Sequence, residues 1–284
     1  MNQAQKIPTP CNHEQHIAFI GGGNMARSLI GGLIARGHWA DAIHVAEPVA
    51  ELREALQRDF GVAVHADAAE AVPGCVAWVL AVKPQVMRQV GHALAAQVAE
   101  ARPMVVSIAA GITSTQLQQW LGAGAAVVRS MPNTPALLGA GVTALYAAEG
   151  VDAAQRALAQ SLLESAGRTV WVDDEALMDA VTAVSGSGPA YVFLLAEAMQ
   201  AAGEAQGLPA QAARELTLQT LLGAARMLVE SDVDAAELRR RVTSPGGTTQ
   251  AAIETFEAGD LRGLVARAIH AARVRGAELS AGQG

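Results

Sequence analysis

The stretch Ile17-Ala18-Phe19-Ile20-Gly21-Gly22-Gly23-Asn24-Met25-Ala26 decides the fold of this chain. Four apolar residues run into a turn of three glycines, and apolar residues at helical spacing follow. Gly21, Gly23 and Ala26 form the pattern G-x-G-x-x-A. Its first glycine permits a sharp turn, its second permits a phosphate to approach the backbone, and its small third residue lets helix and strand pack closely. An ordinary glycine turn is the alternative, but the flanking strand and helix patterns favour a dinucleotide-binding loop.

The composition sets limits on the class of protein. The chain has 284 residues, which is enough for two domains, and a formal net charge of -7. Arg239-Arg240-Arg241 is its only basic run, and we interpret it as a solvated helix face, so no nucleic-acid partner is expected. No apolar run is long enough to span a membrane, so no membrane partner is expected.

The beginning of the chain and its cysteines indicate a cytoplasmic protein. Residues 1–16 are mostly polar, carry Pro8 and Pro10, and lack the apolar core of a signal peptide, which predicts a flexible tail. Cys11 and Cys75 form neither a disulfide framework nor a metal-binding spacing, so we expect a reducing compartment and no metal.

Strand and helix patterns alternate over residues 17–173, which predicts an N-terminal Rossmann-type α/β domain with a doubly wound sheet. The predicted strands cover residues 17–20, 42–47, 62–64, 76–82, 104–108, 125–129, 142–146 and 169–172. The helices predicted between them cover residues 49–60, 85–98 and 152–166, besides the helix after the glycine turn.

Residues 174–284 are predicted to form an all-helical C-terminal domain. The helical stretches cover residues 190–206, 210–229, 234–242 and 248–281. They are rich in alanine and leucine and have apolar residues on more than one face, which predicts a homodimer formed through these helices. A well-buried intramolecular bundle is the alternative that the pattern leaves open.

Four loops are expected to meet at the carboxyl edge of the sheet, where doubly wound folds bind ligands. They are the glycine turn, Ala46-Glu47-Pro48, Ala81-Val82-Lys83-Pro84 and Ser107-Ile108-Ala109-Ala110-Gly111. Glu47 can accept hydrogen bonds from both hydroxyls of an adenosine ribose and would repel a 2′-phosphate, which favours NADH over NADPH. Arg53 is close enough in sequence to offset this repulsion, unless it points to solvent.

Two loops of the helical half carry glycines and hydroxyls just ahead of a helix. They are Ser185-Gly186-Ser187-Gly188-Pro189-Ala190-Tyr191 and Thr243-Ser244-Pro245-Gly246-Gly247-Thr248-Thr249. Backbone amides in such loops can bind a carboxylate, although helix capping is the alternative. The helical half contains a single histidine, His270, and no lysine, so the reaction is expected to need no strong general base.

Taken together, these motifs resemble the pyrroline-5-carboxylate reductase family over residues 17 to about 279. The two loops of the helical half are the most specific part of the resemblance. The others are the glycine turn, Ala81-Val82-Lys83-Pro84-Gln85 and Met131-Pro132-Asn133-Thr134-Pro135. The resemblance implies reduction of the cyclic imine 1-pyrroline-5-carboxylate to L-proline, the last step of proline biosynthesis, with NADPH or NADH as the hydride donor. It also implies a helical dimerisation domain, with dimers that can assemble into rings.

The resemblance also implies the site residues. The substrate threonine falls on Thr249 and its neighbour on Thr248, and the substrate-side glutamate falls on Glu175. Cofactor contacts fall on Ile20, Gly21, Gly22, Gly23, Asn24, Met25, Val82, Lys83, Pro84 and Ala109. The chain departs from the family pattern at Glu47, where many members have a small polar residue. It also has Ala68 and Arg241 where many members have asparagine.

A protonated imine is already electrophilic, so the protein mainly has to orient it and exclude water. Our hypothesis is that the amides from Gly246 to Thr249 bind the substrate carboxylate, with Gly247 and Thr248 between them. The Thr249 hydroxyl would face the ring nitrogen, because a neutral group there does not disfavour the cation.

Three other functions are considered. A β-hydroxyacid dehydrogenase would carry a lysine on the helix that starts near Pro189, and this chain has none there. A redox sensor would need the glycine turn but neither loop of the helical half. A purely structural dimer module would not need the glycine turn.

Overall fold

The computed structural model describes residues 15–282. Residues 1–14, which make up most of the predicted tail and include Cys11, lie outside the described residues. The described residues form two compact units. The first runs up to Ser187 and also includes the chain from Ala272 onward, and the second is Gly188–Ala271. The domain boundary at Asp173 stays a prediction. The short segment between Asp173 and Ser187 is counted with the first unit.

A sheet of eight strands forms the centre of the first unit. The strands are β1 (Ile17–Ile20), β2 (Ile43–Ala46), β3 (Ala63–His65), β4 (Ala77–Leu80), β5 (Met104–Ser107), β6 (Ala126–Met131), β7 (Gly141–Ala147) and β8 (Gly167–Trp171). Their order is β3-β2-β1-β4-β5-β6-β7-β8, with β1 to β6 parallel, β7 antiparallel to β6, and β8 parallel to β7. The predicted Rossmann-type sheet is confirmed, and the predicted strand ends differ from the observed ones by no more than two residues.

Both faces of the sheet are buried. Phe19 and Val79 belong to an apolar cluster on one face, and Ala18 and Trp78 belong to a cluster on the other, and all four are fully buried. Neighbouring residues of one strand therefore serve opposite cores, which explains why these strands are apolar throughout rather than alternating. The strand order reverses between β1 and β4, and this reversal opens a crevice at their carboxyl ends.

The helices of the first unit lie between successive strands, except for the last one, which follows β8. They are α1 (Asn24–Ala35), α2 (Ala50–Phe60), α3 (Ala68–Ala71), α4 (Pro84–Ala101), α5 (Ser114–Leu121), α6 (Ala153–Leu163) and α7 (Met178–Val181). The sequence analysis did not identify α3 or α5. The start of α5 is a capping box, in which the side chains of Thr113 and Gln116 each accept a bond from the other's backbone amide.

The second unit is helical, as the sequence predicts. It contains α8 (Gly188–Ala205), α9 (Ala210–Glu230), α10 (Ala235–Arg241), α11 (Thr248–Ala258) and the first part of α12 (Leu261–Ala281). No helix among residues 15–282 is both long and apolar enough to cross a bilayer.

The helical stretch predicted over residues 248–281 is interrupted. It breaks between α11 and α12, because Asp260 adopts a positive φ of 53°. The Asp260 carboxylate then accepts a bond from the amide of Gly263 and thereby caps the start of α12.

Glu175 fastens the segment after β8 to the sheet. One oxygen of its carboxylate accepts bonds from the amide of Ser114 at 2.7 Å and from Nη1 of Arg129 at 3.0 Å. The other oxygen accepts a bond from the Ser114 hydroxyl at 2.6 Å. Arg129 is only 4% exposed, so the pair is largely shielded from water. A carboxylate at the start of α5 also interacts favourably with the helix dipole.

We predict that Glu175→Ala lowers the free energy of unfolding by about 3 kcal/mol, because it leaves the charge of Arg129 buried and unpaired. Urea denaturation followed by circular dichroism measures the change. The matched control is Glu278→Ala, which removes the exposed partner of Arg275 and should leave the midpoint unchanged. Equal effects of the two substitutions would show that the Glu175 pair does not stabilise the fold.

Candidate active site

The loops that follow β1 and β4 touch each other at the crevice. Gly21 adopts a φ of +104° and donates its amide to the carbonyl of Ala46 at 2.8 Å. A Cβ atom at Gly21 would lie 2.7 Å from the carbonyl oxygen of Ala81, and real side chains do not come so close. The amide of Ala81 in turn donates to the carbonyl of Ile20 at 2.8 Å. Only glycine can therefore occupy this position.

The start of α1 is open. Gly23 is its N-cap residue, and no side chain caps the helix there. No described atom lies within 4 Å of the position that a Cβ atom would take at Gly23. Free amides at Asn24 and Met25 together with empty space in front of them suit a pyrophosphate, which is the group that this loop is expected to receive. The residues present therefore fit a dinucleotide.

Glu47 follows β2 and is 7% exposed. Its carboxylate accepts one bond from the amide of Gly22 at 3.0 Å and another from the amide of Val49 at 3.1 Å. The acid thus ties the glycine loop to the loop after β2. The Nη1 atom of Arg53 donates to the carbonyls of Glu47 and Pro48, at 2.7 and 2.8 Å. The expected ribose side of the crevice therefore carries both a carboxylate and a guanidinium group.

The remaining predicted cofactor residues lie at the same edge of the sheet. Lys83 is exposed and is the N-cap residue of α4, with Pro84 in the first position of that helix. Val82 is partly buried against the core. Ala109 follows β5, is 6% exposed, and donates its amide to the Ser107 hydroxyl. The structure thus brings the predicted cofactor residues to one edge, although their contacts with a cofactor stay predictions.

Glu175 belongs to the first unit, where its carboxylate is bound by Ser114 and Arg129 as described above. A contact between Glu175 and substrate stays a prediction, and the three hydrogen bonds that its carboxylate already accepts favour a positioning role.

The loop at residues 185–188 does not present a row of free backbone amides. Residues Thr182–Gly186 form a π-helical turn, and the amide of Ser187 donates to the carbonyl of Thr182.

Asn133 joins this turn to the sheet. Its side chain donates to the carbonyl of Ser185 at 3.1 Å and accepts from the amide of Val142 at 3.0 Å. The sequence motif around Asn133 carried no predicted role, and neither Arg129 nor Ser114 was predicted to be a functional residue. The capping-box pattern at Thr113, which was not used, could have identified the helix that Ser114 starts, but nothing in the sequence links Ser114 to Glu175.

In the second unit, the loop before α11 offers amides at the helix start. Gly246 has a φ of +69°, its amide donates to the side chain of Gln250 at 2.7 Å, and the amide of Gly247 donates to the carbonyl of Ser244. No side chain caps α11. The first free amides are therefore those of Thr248 and Thr249, which are the predicted substrate residues.

Two side chains near the sheet have shifted pKa values. His44 lies between His16 and His65, with ring nitrogens 2.9 and 3.2 Å apart. Burial lowers the pKa of His44, and the two neighbouring histidines lower it further. Burial raises the pKa of Cys75 to about 11, so its thiol stays protonated and unreactive at neutral pH.

Comparison with known proteins identifies both parts of the chain. Residues 175–279 match the family model described as pyrroline-5-carboxylate reductase dimerisation, and residues 16–111 match the model described as NADP oxidoreductase, coenzyme F420-dependent. The chain is 53% identical to a pyrroline-5-carboxylate reductase of Pseudomonas aeruginosa, in an alignment that covers 93% of this chain and 96% of the relative.

Solved structures give the same result. A pyrroline-5-carboxylate reductase of Coxiella burnetii superposes with a TM-score of 0.91 and 42% identity, over 94% of this chain and 98% of the other. The pyrroline carboxylate reductase of Plasmodium falciparum, solved with NADP bound, superposes with a TM-score of 0.83 and 26% identity, over 94% of this chain and 99% of the other. This protein is therefore an oxidoreductase and belongs to the pyrroline-5-carboxylate reductase family.

Proposed function

We propose that this protein reduces 1-pyrroline-5-carboxylate to L-proline, the final step of proline biosynthesis, with NADPH or NADH as the hydride donor. The observation that carries the proposal is the open, uncapped start of α1 at Gly23, in a chain that aligns with reductases of this name along nearly its whole length. The exposed amides suit the pyrophosphate of the donor.

A reduced nicotinamide supplies a hydride to an electrophilic carbon. The task left to the chain is to bind the dinucleotide and to orient the imine. The amides of Asn24 and Met25 and the loop at Lys83 hold the dinucleotide at the carboxyl edge. On the ribose side, Glu47 accepts hydrogen bonds from the hydroxyls, since each of its oxygens has a lone pair beyond the one used by a backbone amide.

The loop before α11 holds the substrate. The amides of Thr248 and Thr249 bind its carboxylate, while Gly246 and Gly247 shape the turn through their bonds to Gln250 and Ser244. The Thr249 hydroxyl accepts a bond from the protonated ring nitrogen, and this stabilises the iminium without adding a positive charge. In the first unit, Glu175 is the predicted substrate-side acid, and Ser114 and Arg129 hold its carboxylate in place.

The match to a dimerisation family indicates that the chain forms oligomers. We propose a homodimer formed through the helices of the second unit, and a ring of such dimers as a further assembly. Large apolar side chains are exposed on α8 and α9, including Phe193 at 67%, Leu194 at 66% and Val229 at 68%. Clusters of this kind mark interaction surfaces, which favours a second subunit over an intramolecular bundle.

We also propose that the protein is cytoplasmic, in keeping with its inert buried thiol at Cys75.

The first prediction is turnover itself. Purified protein should oxidise NADPH or NADH when 1-pyrroline-5-carboxylate is added, as followed by the absorbance of the reduced nicotinamide, and L-proline should accumulate in equal amount. A β-hydroxyacid tested with the oxidised cofactor is the control and should give no turnover, because α8 lacks a lysine. If folded protein binds either dinucleotide but never forms proline, the proposal is contradicted, and the alternative of a non-catalytic redox sensor is favoured.

The second prediction concerns Thr249. Thr249→Ala should lower kcat by about 10-fold or more, because it removes a hydrogen bond to a charged nitrogen. Thr249→Ser keeps the hydroxyl and should retain most of the activity, and neither variant should change the affinity for the dinucleotide. The matched control is Thr255→Ala, since this α11 threonine only donates back to the carbonyl of Ala251. A Thr249→Ala variant with normal kcat would rule out the proposed role.

The third prediction concerns assembly. Phe193→Asp places a charge among the exposed apolar side chains of α8 and should shift the molar mass, measured by light scattering after size exclusion, toward that of a single chain. Val170→Asp is the control, because Val170 is 53% exposed on the edge strand β8 of the first unit and should leave the mass unchanged. An unchanged oligomer in the Phe193 variant would mean that the subunits meet elsewhere.

A further inference from the structure

Three histidines form a row across one edge of the sheet. His16 directly precedes β1, His44 is the second residue of β2, and His65 is the last residue of β3. In the strand register, Ala18 lies beside His44, and His44 lies beside Ala63. Because side chains alternate along a strand, the three histidines lie on the same face of the sheet. The row therefore joins the edge strand β3 to the two strands next to it.

The ring nitrogens of neighbouring histidines are in hydrogen-bond contact. Nδ1 of His16 lies 2.9 Å from Nε2 of His44, and Nδ1 of His44 lies 3.2 Å from Nε2 of His65. The ring centroids of the two pairs lie 5.1 and 5.4 Å apart. We call these three side chains the histidine ladder. Both nitrogens of His44 are used inside the ladder, whereas each outer ring keeps one nitrogen outside it.

The ladder limits the number of protons that its three rings can carry. A hydrogen bond between two ring nitrogens contains a single proton, so the two contacts hold two protons, and the two outer nitrogens can hold two more. Three neutral imidazole rings already carry one proton each, so the intact ladder can gain only one. A second added proton has to break a contact, because two N–H groups would then face each other.

The surroundings of the ladder do not supply a partner for additional positive charge. On this face of the sheet, the start of α3 carries Asp67 and Glu70, and the turn before β2 carries Asp41. Asp67 accepts the amide of Ala69, and among residues 15–282 no carboxylate forms an ion pair with a ring of the ladder. Burial lowers the pKa of His44, and the two neighbouring histidines lower it further.

We propose that the histidine ladder is a proton-sensitive latch, which holds β3 while the ladder carries at most one added proton and releases β3 when a second proton binds. In the unfolded chain the same three histidines titrate independently, near the ordinary pKa of 6.5. The folded chain therefore binds fewer protons than the unfolded chain in mild acid. The stability that the ladder contributes is complete above pH 6.5 and is lost as the pH falls through the lower pKa of His44. This latch does not depend on the proposed function.

Urea denaturation of the full-length protein, followed by circular dichroism at about pH 7.5 and about pH 5, measures the effect of the ladder on stability. Acidification should raise the equilibrium constant for unfolding of the wild type at least about 10-fold more than that of His44→Gln, which removes both contacts. The matched control is His92→Gln, because His92 is exposed on α4 and its loss should leave the wild-type pH dependence unchanged. Equal pH dependence of the wild type and His44→Gln would overturn the proposal.

Graded variants keep the test decisive if His44→Gln does not fold. His16→Gln and His65→Gln each leave one contact, which excludes one proton rather than two. On acidification, the logarithm of the unfolding constant should therefore gain about half of the extra increase that the intact ladder causes. A wild-type pH dependence in both variants would contradict the proton count and overturn the proposal.

Hydrogen exchange with mass spectrometry shows where the chain opens. After correction for the intrinsic pH dependence of exchange, the wild-type peptide that contains β3 should lose protection in acid at least about 10-fold more than the peptide that contains β5. In His65→Gln this difference between the two peptides should shrink. Equal loss of protection in both wild-type peptides would mean that the whole unit unfolds rather than that β3 is released, and the latch would be ruled out.

Discussion

The carboxyl edge of the sheet depends on the contact between the backbones of Gly21 and Ala81. The loops after β1 and β4 lie so close together that a single added carbon would collide with a carbonyl oxygen. Because β1 and β4 are adjacent where the strand order reverses, this contact also sets the direction in which the chain leaves for α1. The free amides of α1 follow Gly21 in the chain, the exposed Lys83 follows Ala81, and the carboxylate of Glu47 accepts the amide of Gly22.

Around this contact, polar groups connect one loop to the next. Glu47 binds Gly22, Arg53 binds the loop that carries Glu47, and Ser130 donates to the carbonyl of Ser107 at the end of β5. On the far side, Glu175 connects the start of α5 to β6. Buried polar groups tolerate few arrangements, since each unmet donor or acceptor carries a free-energy penalty. These hydrogen bonds therefore restrict the arrangements that the loops at the edge of the sheet can adopt.

Local patterns in the sequence predicted the sheet well, because strands buried on both faces must be apolar and because the glycine turn stands between a strand pattern and a helix pattern. The break between α11 and α12 at Asp260 was not predicted, since an aspartate does not by itself indicate the positive φ that separates the two helices. Contacts between distant residues were out of reach. The resemblance suggested Glu175 as a substrate residue, but its partners lie 61 and 46 positions away, and only the folded chain shows its carboxylate already bound. Arg53 needed both kinds of information, because its proximity to Glu47 is visible in the sequence, whereas its bonds to the carbonyls of Glu47 and Pro48 are visible only in the structure.

Because lysine is scarce in this chain, the lysine at the edge of the crevice can be modified selectively. The chain has only two lysines, Lys6 and Lys83, and the second is the exposed residue at the start of α4. An acylating reagent that reacts with amines can therefore modify only the chain terminus and these two side chains. Because Lys83 is predicted to contact the dinucleotide, the mass of the peptide containing it would then report whether the dinucleotide is bound, with no engineered probe.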